Sequence, residues 1–357
     1  MHARSVVAVR SVTAALFPAI LVSAVRAQPE TTPAPRPLAN WVKESNQNTK
    51  VMIELLAKLQ PETASQFGAE GYDDQISDLS PGFVERQLKA IREVHTILTR
   101  RFAAESDPRV KQDLEILIKA AADEIKGTEL NERLAVPYFS LDKLMFASFR
   151  GVLDDQVSPN RRPAALVRLR KYTGLEAGTK PITDYAIALV RERIRDPKLV
   201  APAKSKVQKD LAQAAFFATG VGKLFERFKI QGYEPAYAKL REQLEVWNSF
   251  VKSEVLPKAR ENFRLPPELY ALSLEQIGVD IPPAELAAKA HLAYTEIQSQ
   301  MQAVAAQIAR DKGLTSSDYR DVINSLKKEQ LVGEEILAHY RGRLKQIEEI
   351  IDRKSVV

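Results

Sequence analysis

The sequence contains no cysteine and only four histidines, and both shortages limit its chemistry. Without cysteine the chain can form no disulfide, no thiolate zinc site and no cysteine nucleophile. A zinc hydrolase motif on a helix, HExxH, needs two histidines four residues apart with a glutamate after the first. His2, His95, His291 and His339 are far apart, and none precedes a glutamate. The sequence therefore predicts no catalytic, cofactor-binding or metal-binding residue in this chain.

Other signatures are also missing from the 357 residues. There is no G-x-S-x-G nucleophile elbow and no glycine-rich phosphate loop. Only 14 glycines occur, no segment alternates polar and apolar residues like a strand, and no repeat of fixed period is present. Strong helix formers dominate instead. The pattern predicts an all-α fold in which about eleven to thirteen helices form one large domain over residues 41–351.

The first 27 residues have the pattern of a secretory signal peptide. Arg4 and Arg10 make the start basic, an apolar run of 15 residues follows, and small side chains stand at Val25 and Ala27. The alternative is a membrane anchor, but the run is short for a bilayer and contains Pro18. We therefore expect cleavage of residues 1–27, export to the periplasm or the extracellular space, and no stable insertion in a membrane.

A proline-rich segment, residues 28–40, follows and is expected to be a flexible tether. The formal net charge of the chain is +6, but most of this excess lies in the predicted signal peptide and the last six residues. The remaining chain is nearly neutral, which argues against a nucleic-acid partner.

Proline and glycine mark several predicted helix boundaries. Gly127 is expected to end one helix, and Pro257 to kink or break another. The cleanest helix opens at Asp280 and Pro282 and closes at Gly313. Its apolar positions follow 3–4 spacing, which predicts a packed face: Leu286, Ala290, Tyr294, Ile297, Met301, Val304 and Ile308. The last helix repeats this spacing at Ile336, Leu337, Tyr340, Leu344, Ile347 and Ile351.

Three local clusters have two interpretations each. Asp73, Asp74 and Asp78 could bind a cation, but loop and helix-cap chemistry is favoured because the spacing does not match an EF-hand. The basic stretch is interpreted as a solvated helix face rather than a nucleic-acid site; it comprises Arg161, Arg162, Arg168, Arg170 and Lys171. An aromatic group is interpreted as core rather than a ligand box; it comprises Phe216, Phe217, Phe225 and Phe228.

The histidines are also given structural rather than ligand roles. His95 lies on the apolar stripe of its helix, so a buried structural position is expected. His291 and His339 flank apolar stripes, and solvated positions are expected for both.

Three stretches resemble a known bacterial family, the domain of unknown function 885. They are ASQFGAEGYDDQISDLSPGFVERQLKAIREV, EVLPKARENFRLPPELYALSL and PPAELAAKAHLAYTEIQSQMQAVAAQIA, and the match covers roughly residues 60–350. One departure is FRLPPELY, where the family more often has a glycine before the tyrosine. The resemblance implies a large helical fold of the zinc metallopeptidase type, with a peptide substrate and zinc in the full-length protein. The family's HExxH-type motif lies beyond the matched region, so these residues by themselves are expected to be inactive.

The last six residues, DRKSVV, follow a well-formed helical pattern without a stop signal. The codons of a widely used sequencing adaptor spell the same six residues and then a stop. Residues 352–357 are therefore predicted to be a non-native, adaptor-derived tail; the alternative is a native charged tail. Two interpretations of the chain follow. It is either the N-terminal helical part of an exported zinc metallopeptidase, or a complete non-catalytic binding or scaffold protein of the periplasm.

Overall fold

A computed structural model describes residues 39–69 and 71–354. The predicted signal peptide, nearly all of the proline-rich segment and the last three residues lie outside this range. The described residues form thirteen α-helices and no β-strand, with isolated bridges only between Ala135 and Val200 and between Ala203 and Arg260. This confirms the predicted all-α fold.

The helices follow one another with short connections. In chain order they are α1 (Asn40–Leu59), α2 (Pro61–Gln66), α3 (Phe83–Ala104), α4 (Pro108–Leu134), α5 (Leu141–Val152), α6 (Ala164–Tyr172), α7 (Ile182–Arg193), α8 (Lys204–Arg227), α9 (Glu234–Phe250), α10 (Pro267–Gln276), α11 (Pro283–Lys312), α12 (Tyr319–Leu326) and α13 (Glu334–Lys354). Helix α1 therefore already includes Asn40, and α13 continues through the first three residues of the predicted tail.

Several predicted boundaries have clear local causes. Pro108 opens α4, and the Asp107 side chain caps it by accepting a 2.9 Å hydrogen bond from the Arg109 amide. Gly313 ends α11 in the left-handed region at φ 63°, which a glycine adopts without strain. The expected break at Pro257 is confirmed, because α9 passes into a π turn and then a single 3₁₀ turn that ends at Lys258.

The predicted helix end at Gly127 is wrong, since α4 continues to Leu134. Glycine costs only about 1 kcal/mol in a helix interior, and the contacts around it outweigh that cost here. A Cβ at Gly127 would lie 3.5 Å from Leu272 of α10. That distance is ordinary van der Waals spacing, so α4 packs against α10 here without requiring a glycine.

The chain divides into two compact units between Asp280 and Ile281. The first unit holds two apolar cores. The larger is formed by α5 to α9 around fully buried side chains such as Phe149, Tyr172 and Phe225. The smaller joins α1, α3 and α4 through side chains such as Ile91 and Leu98.

The second unit has a small core. Ala305 and Ala309 of α11 pack against Val322 of α12, with a few half-buried apolar neighbours. Many large apolar side chains of α11 and α13 are exposed. None of the helices in the described ranges is both long and apolar enough to cross a membrane.

Candidate functional site

A small polar recess in the first unit lies where α5, α8 and α9 meet. Its lining combines acidic, basic, hydroxyl, amide and aromatic side chains: Tyr138, Ser140, Asp142, Lys143, Asp210, Phe217, Trp247 and Asn248. The free volume is about 10 Å³, which is near the minimum for one water molecule. The recess is therefore too small for an organic ligand in this conformation.

A triangle of hydrogen bonds lies at one side of the recess. Lys206 Nζ donates to Asp210 Oδ2 and to Ser140 Oγ, each at 2.7 Å. Ser140 Oγ donates to Asp210 Oδ2 at 2.5 Å. Lys206 and Asp210 are one turn apart on α8, and Ser140 immediately precedes α5. The triangle therefore ties the start of α5 to α8.

A serine beside a lysine raises the question of nucleophilic catalysis. In such a pair the lysine must accept the serine proton, which requires a neutral amine. Here Lys206 Nζ donates both to Asp210 Oδ2 and to Ser140 Oγ, and the Ser140 hydroxyl donates to Asp210 rather than to the lysine. The serine proton is therefore directed to the Asp210 carboxylate and not to the lysine nitrogen. The geometry supports an ion-paired connection between helices better than a catalytic dyad.

Asp142 lies in the first turn of α5 and is only 6% exposed. Burial is the main cause that raises the pKa of its carboxyl to about 6, and the nearby Asp210 carboxylate acts in the same direction. A 3.2 Å hydrogen bond from Asn248 Nδ2 partly opposes this shift. Asp142 is thus a buried acid that changes charge close to neutral pH.

Aromatic rings cover the other side of the recess. Tyr138 stacks on Trp247 with ring centroids 6.5 Å apart, and Lys206 Nζ lies 5.1 Å from the Tyr138 ring. Burial, followed by the Asp210 carboxylate, raises the pKa of the Tyr138 phenol well above its ordinary value. The phenol therefore stays protonated at neutral pH. Sequence reasoning missed this recess, although Lys206 and Asp210 stand at the i,i+4 spacing typical of helical ion pairs.

A second polar cluster joins α6 to the segment between α2 and α3. Arg161 Nε and Nη2 donate to the two oxygens of Asp73, each at 2.7 Å. Lys171 pairs with Asp74 at 3.0 Å, and Arg86 pairs with Asp78 at 2.6 Å. The Asp78 carboxylate also accepts hydrogen bonds from Ser80. The three aspartates therefore have loop and ion-pair roles, but none caps a helix as expected, since the N-cap of α3 is Gly82.

The interpretation of the basic stretch as a solvated face is wrong. Arg168 is completely buried, and Arg161 and Lys171 are largely buried, whereas Arg170 is exposed. Arg168 Nη2 donates to Ser65 Oγ at 2.8 Å and to the Tyr72 carbonyl at 2.7 Å. The cations are buried because acids and carbonyl groups about 90 residues earlier in the chain meet them.

The same cluster contains a buried carboxylate with several donors. Glu62 accepts hydrogen bonds from the Ser77 amide at 2.8 Å, the Ser77 hydroxyl at 2.6 Å and the Tyr172 hydroxyl at 2.7 Å. Burial, and next the Glu62 charge, raises the pKa of Tyr172 well above its ordinary value. These contacts hold the 67–82 segment against the core, so this cluster is structural.

The aromatic group is only partly core, contrary to expectation. Phe225 is fully buried, but Phe216 is 68% exposed and Phe217 and Phe228 are half-buried. Phe216 contacts Phe217 and Phe146 at the surface. Phe216 projects from the side of α8 opposite the buried Val207 and Phe225, and Phe217 projects from the edge of that buried stripe.

The histidines are distributed over both units. His95 on α3 is half-buried rather than buried, while His291 on α11 and His339 on α13 are exposed as expected. Among the residues described here, no group of three or more histidine, aspartate or glutamate side chains could hold a metal ion.

The fold and these clusters define an all-α protein of two helical units, in which buried polar groups connect helices and acid-rich loops. The chain belongs to the family described as bacterial protein of unknown function (DUF885), whose model matches residues 61–356. This confirms the resemblance noted in the sequence. No curated protein matches the chain.

Proposed function

We propose that this chain is the N-terminal helical part of an exported zinc metallopeptidase. In this proposal a zinc-binding segment outside these 357 residues hydrolyses the peptide, and the present helices form one wall of the substrate cleft. The metallopeptidase assignment rests on the family resemblance. The structural observation that carries the proposal is the exposed apolar face of α11.

The face of α11 was expected to pack, yet most of it lies in solvent. Tyr294 is 60% exposed, Ile297 is 55% exposed and Val304 is 56% exposed, while Met301 is 37% exposed. They recur at 3–4 spacing, so they line one side of the helix. Soluble monomers rarely expose such contiguous apolar surface unless it contacts another element. This face is therefore suited to pack against further polypeptide.

The described residues do not fit a zinc ion. A catalytic zinc requires three protein ligands from histidine, aspartate, glutamate or cysteine, converging on one point. The described part of the chain offers no such group, and the sequence has no cysteine. We therefore assign no step of peptide hydrolysis to a residue of this chain.

The alternative is a non-catalytic helical binding or scaffold protein of the periplasm. It is supported by the first unit, whose two apolar cores resemble those of a self-sufficient domain. The two proposals differ in what they predict for a longer polypeptide from the same gene.

The decisive experiment starts with the genomic DNA beyond the codon for Ile351. We expect the frame to continue into an HExxH motif, and we expect the extended polypeptide to bind one zinc ion and cleave peptides. Zinc content by mass spectrometry and hydrolysis of a quenched fluorescent peptide measure both properties, and alanine at either motif histidine is the control. A natural stop directly after Ile351, or stoichiometric zinc in the present chain, would contradict the proposal.

A further inference from the structure

The exposed face of α13 has the spacing of a coiled-coil seam. Large apolar side chains recur at alternating intervals of three and four residues: Leu337, Tyr340, Leu344, Ile347 and Ile351. Each is between 48% and 64% exposed. In heptad notation Leu337, Leu344 and Ile351 occupy a positions, and Tyr340 and Ile347 occupy d positions. Such a seam is buried when a second helix lies alongside it.

Further apolar side chains widen this seam. Leu331, in the segment before α13, forms one side of an open groove with Ile336, Tyr340, Leu344 and Ile347 of the helix. Leu331 and Ile336 are both more than 40% exposed. The apolar surface is therefore broader than the line of a and d positions, and it offers space for the side chains of a facing helix.

The charges beside the seam are self-complementary. Arg341 and Glu348 occupy e positions, and Arg343 occupies a g position. When two copies of the helix pair antiparallel, e positions face e positions, so Arg341 meets Glu348 of the second copy. When they pair parallel, g faces e, so Arg343 meets Glu348 of the second copy. In both orientations Glu348 faces an arginine rather than another acid.

We propose that α13 is a self-association surface, and that a second copy of this chain covers its seam. The C-terminal part of the α11 face, from Ile297 to Ala309, has no charged residue and so lacks the flanking charges that would select a second copy. The proposal concerns the chain as it is and does not depend on zinc or on peptide hydrolysis. Loss of self-association would leave the proposed function untouched, and a missing HExxH motif would leave self-association untouched.

The first test is the mass of the full chain in solution as its concentration is raised through the micromolar range. Light scattering after size-exclusion chromatography is expected to show a rise toward twice the monomer mass. Leu344→Glu places a charge in the seam and should weaken association at least about tenfold. Gln346→Glu adds the same carboxylate at an outer position and should leave association unchanged. Because Leu344 is exposed, circular dichroism should show both variants folded.

The second test exchanges the flanking charges and does not depend on removing apolar surface. If the helices are antiparallel, Arg341→Glu alone should weaken association and addition of Glu348→Arg should restore it. For parallel helices the restoring pair is Arg343→Glu with Glu348→Arg. Restoration by either pair supports the proposal and gives the orientation. A wild-type chain that stays monomeric at all concentrations, or one whose association Leu344→Glu leaves unchanged, overturns it.

Discussion

Arg168 of α6 donates a 2.7 Å hydrogen bond to the carbonyl of Tyr72, a residue in the segment between α2 and α3. The same guanidinium group bonds Ser65 and Ser148, so one fully buried cation connects α2, α5, α6 and the 67–82 segment. Its planar fork reaches several acceptors at once, which a lysine ammonium cannot do in the same geometry.

We therefore expect Arg168→Lys to destabilise the first unit by about 2–4 kcal/mol. The shorter reach of the ammonium would leave buried acceptors without their donors. Urea denaturation measures the loss, and limited proteolysis should show faster cleavage within residues 67–82. Arg170→Lys is the matched control, because Arg170 is exposed two positions away on the same helix. Equal stability of the two variants would rule out the connecting role of Arg168.

The Lys206–Asp210–Ser140 triangle gives a second prediction. Lys206→Met keeps the unbranched apolar stem of the side chain but removes the ammonium from a largely buried carboxylate. We expect a loss of about 1–3 kcal/mol in the free energy of unfolding. Lys209→Met is the control, since Lys209 is exposed on the same helix. Thermal and urea unfolding of both variants check the difference, and an undisturbed Lys206→Met protein would show that the triangle contributes nothing.

The fold class and many helix ends could be predicted because they depend on local sequence. Gly313 ends α11 through its own backbone freedom, and Pro257 breaks its helix through its missing N–H group. Gly127 could not be placed correctly, because the helix there is supported by packing against α10, which lies far later in the chain. Local signals therefore fail where distant packing compensates for a weak helix former.

Local sequence also fails to distinguish buried from exposed cations in the polar clusters. Arg168 and Arg170 are two positions apart in one basic stretch, yet one is buried and the other exposed. What separates them is contact with Ser65 and Tyr72, which sequence spacing does not reveal. The recess around Asp142 escaped prediction for the same reason, since its lining comes from helices distant in sequence.

Asp142 gives a prediction for the pH dependence of stability. The pKa of its carboxyl rises from 3.8 to about 6 on folding, so the folded protein holds this proton more tightly than the unfolded chain. The stabilisation contributed by the neutral Asp142 carboxyl is complete at pH values below its pKa in the unfolded chain. It is lost as the pH rises through the pKa of Asp142 in the folded protein. The window therefore lies between about pH 4 and about pH 6.5.

Replacement Asp142→Asn should remove this pH dependence while keeping the size of the side chain. Relative to the variant, the wild type should lose about 2–3 kcal/mol between the two ends of that window. Urea denaturation at several pH values measures the slope. Asp280→Asn serves as the control, because Asp280 is exposed. Parallel curves for wild type and Asp142→Asn would contradict the role of the buried acid, which faces Asp210 and Tyr138.

Replacement of glycine by alanine is expected to have opposite effects on stability at two helical positions, 222 and 342. At Gly222 in α8 a Cβ would lie 2.7 Å from the ring of Tyr237 in α9, whose hydroxyl bonds the Ala218 carbonyl. Gly222→Ala must therefore displace the Tyr237 ring or move the two helices apart, and we expect a loss of about 1–3 kcal/mol in urea denaturation. At Gly342 in α13 a Cβ would meet nothing within 4 Å.

Gly342→Ala should therefore stabilise α13 by about 0.5–1 kcal/mol, because alanine loses less backbone entropy in a helix interior. Amide hydrogen exchange within α13 measures this gain directly, and exchange in the first unit should stay unchanged. Position 342 lies away from the apolar seam, so the gain arises from the helix itself. We expect two results: slower amide exchange in α13 with Gly342→Ala, and a lower urea midpoint with Gly222→Ala. If Gly222→Ala were as stable as the wild type, the close contact between α8 and α9 would not constrain that position.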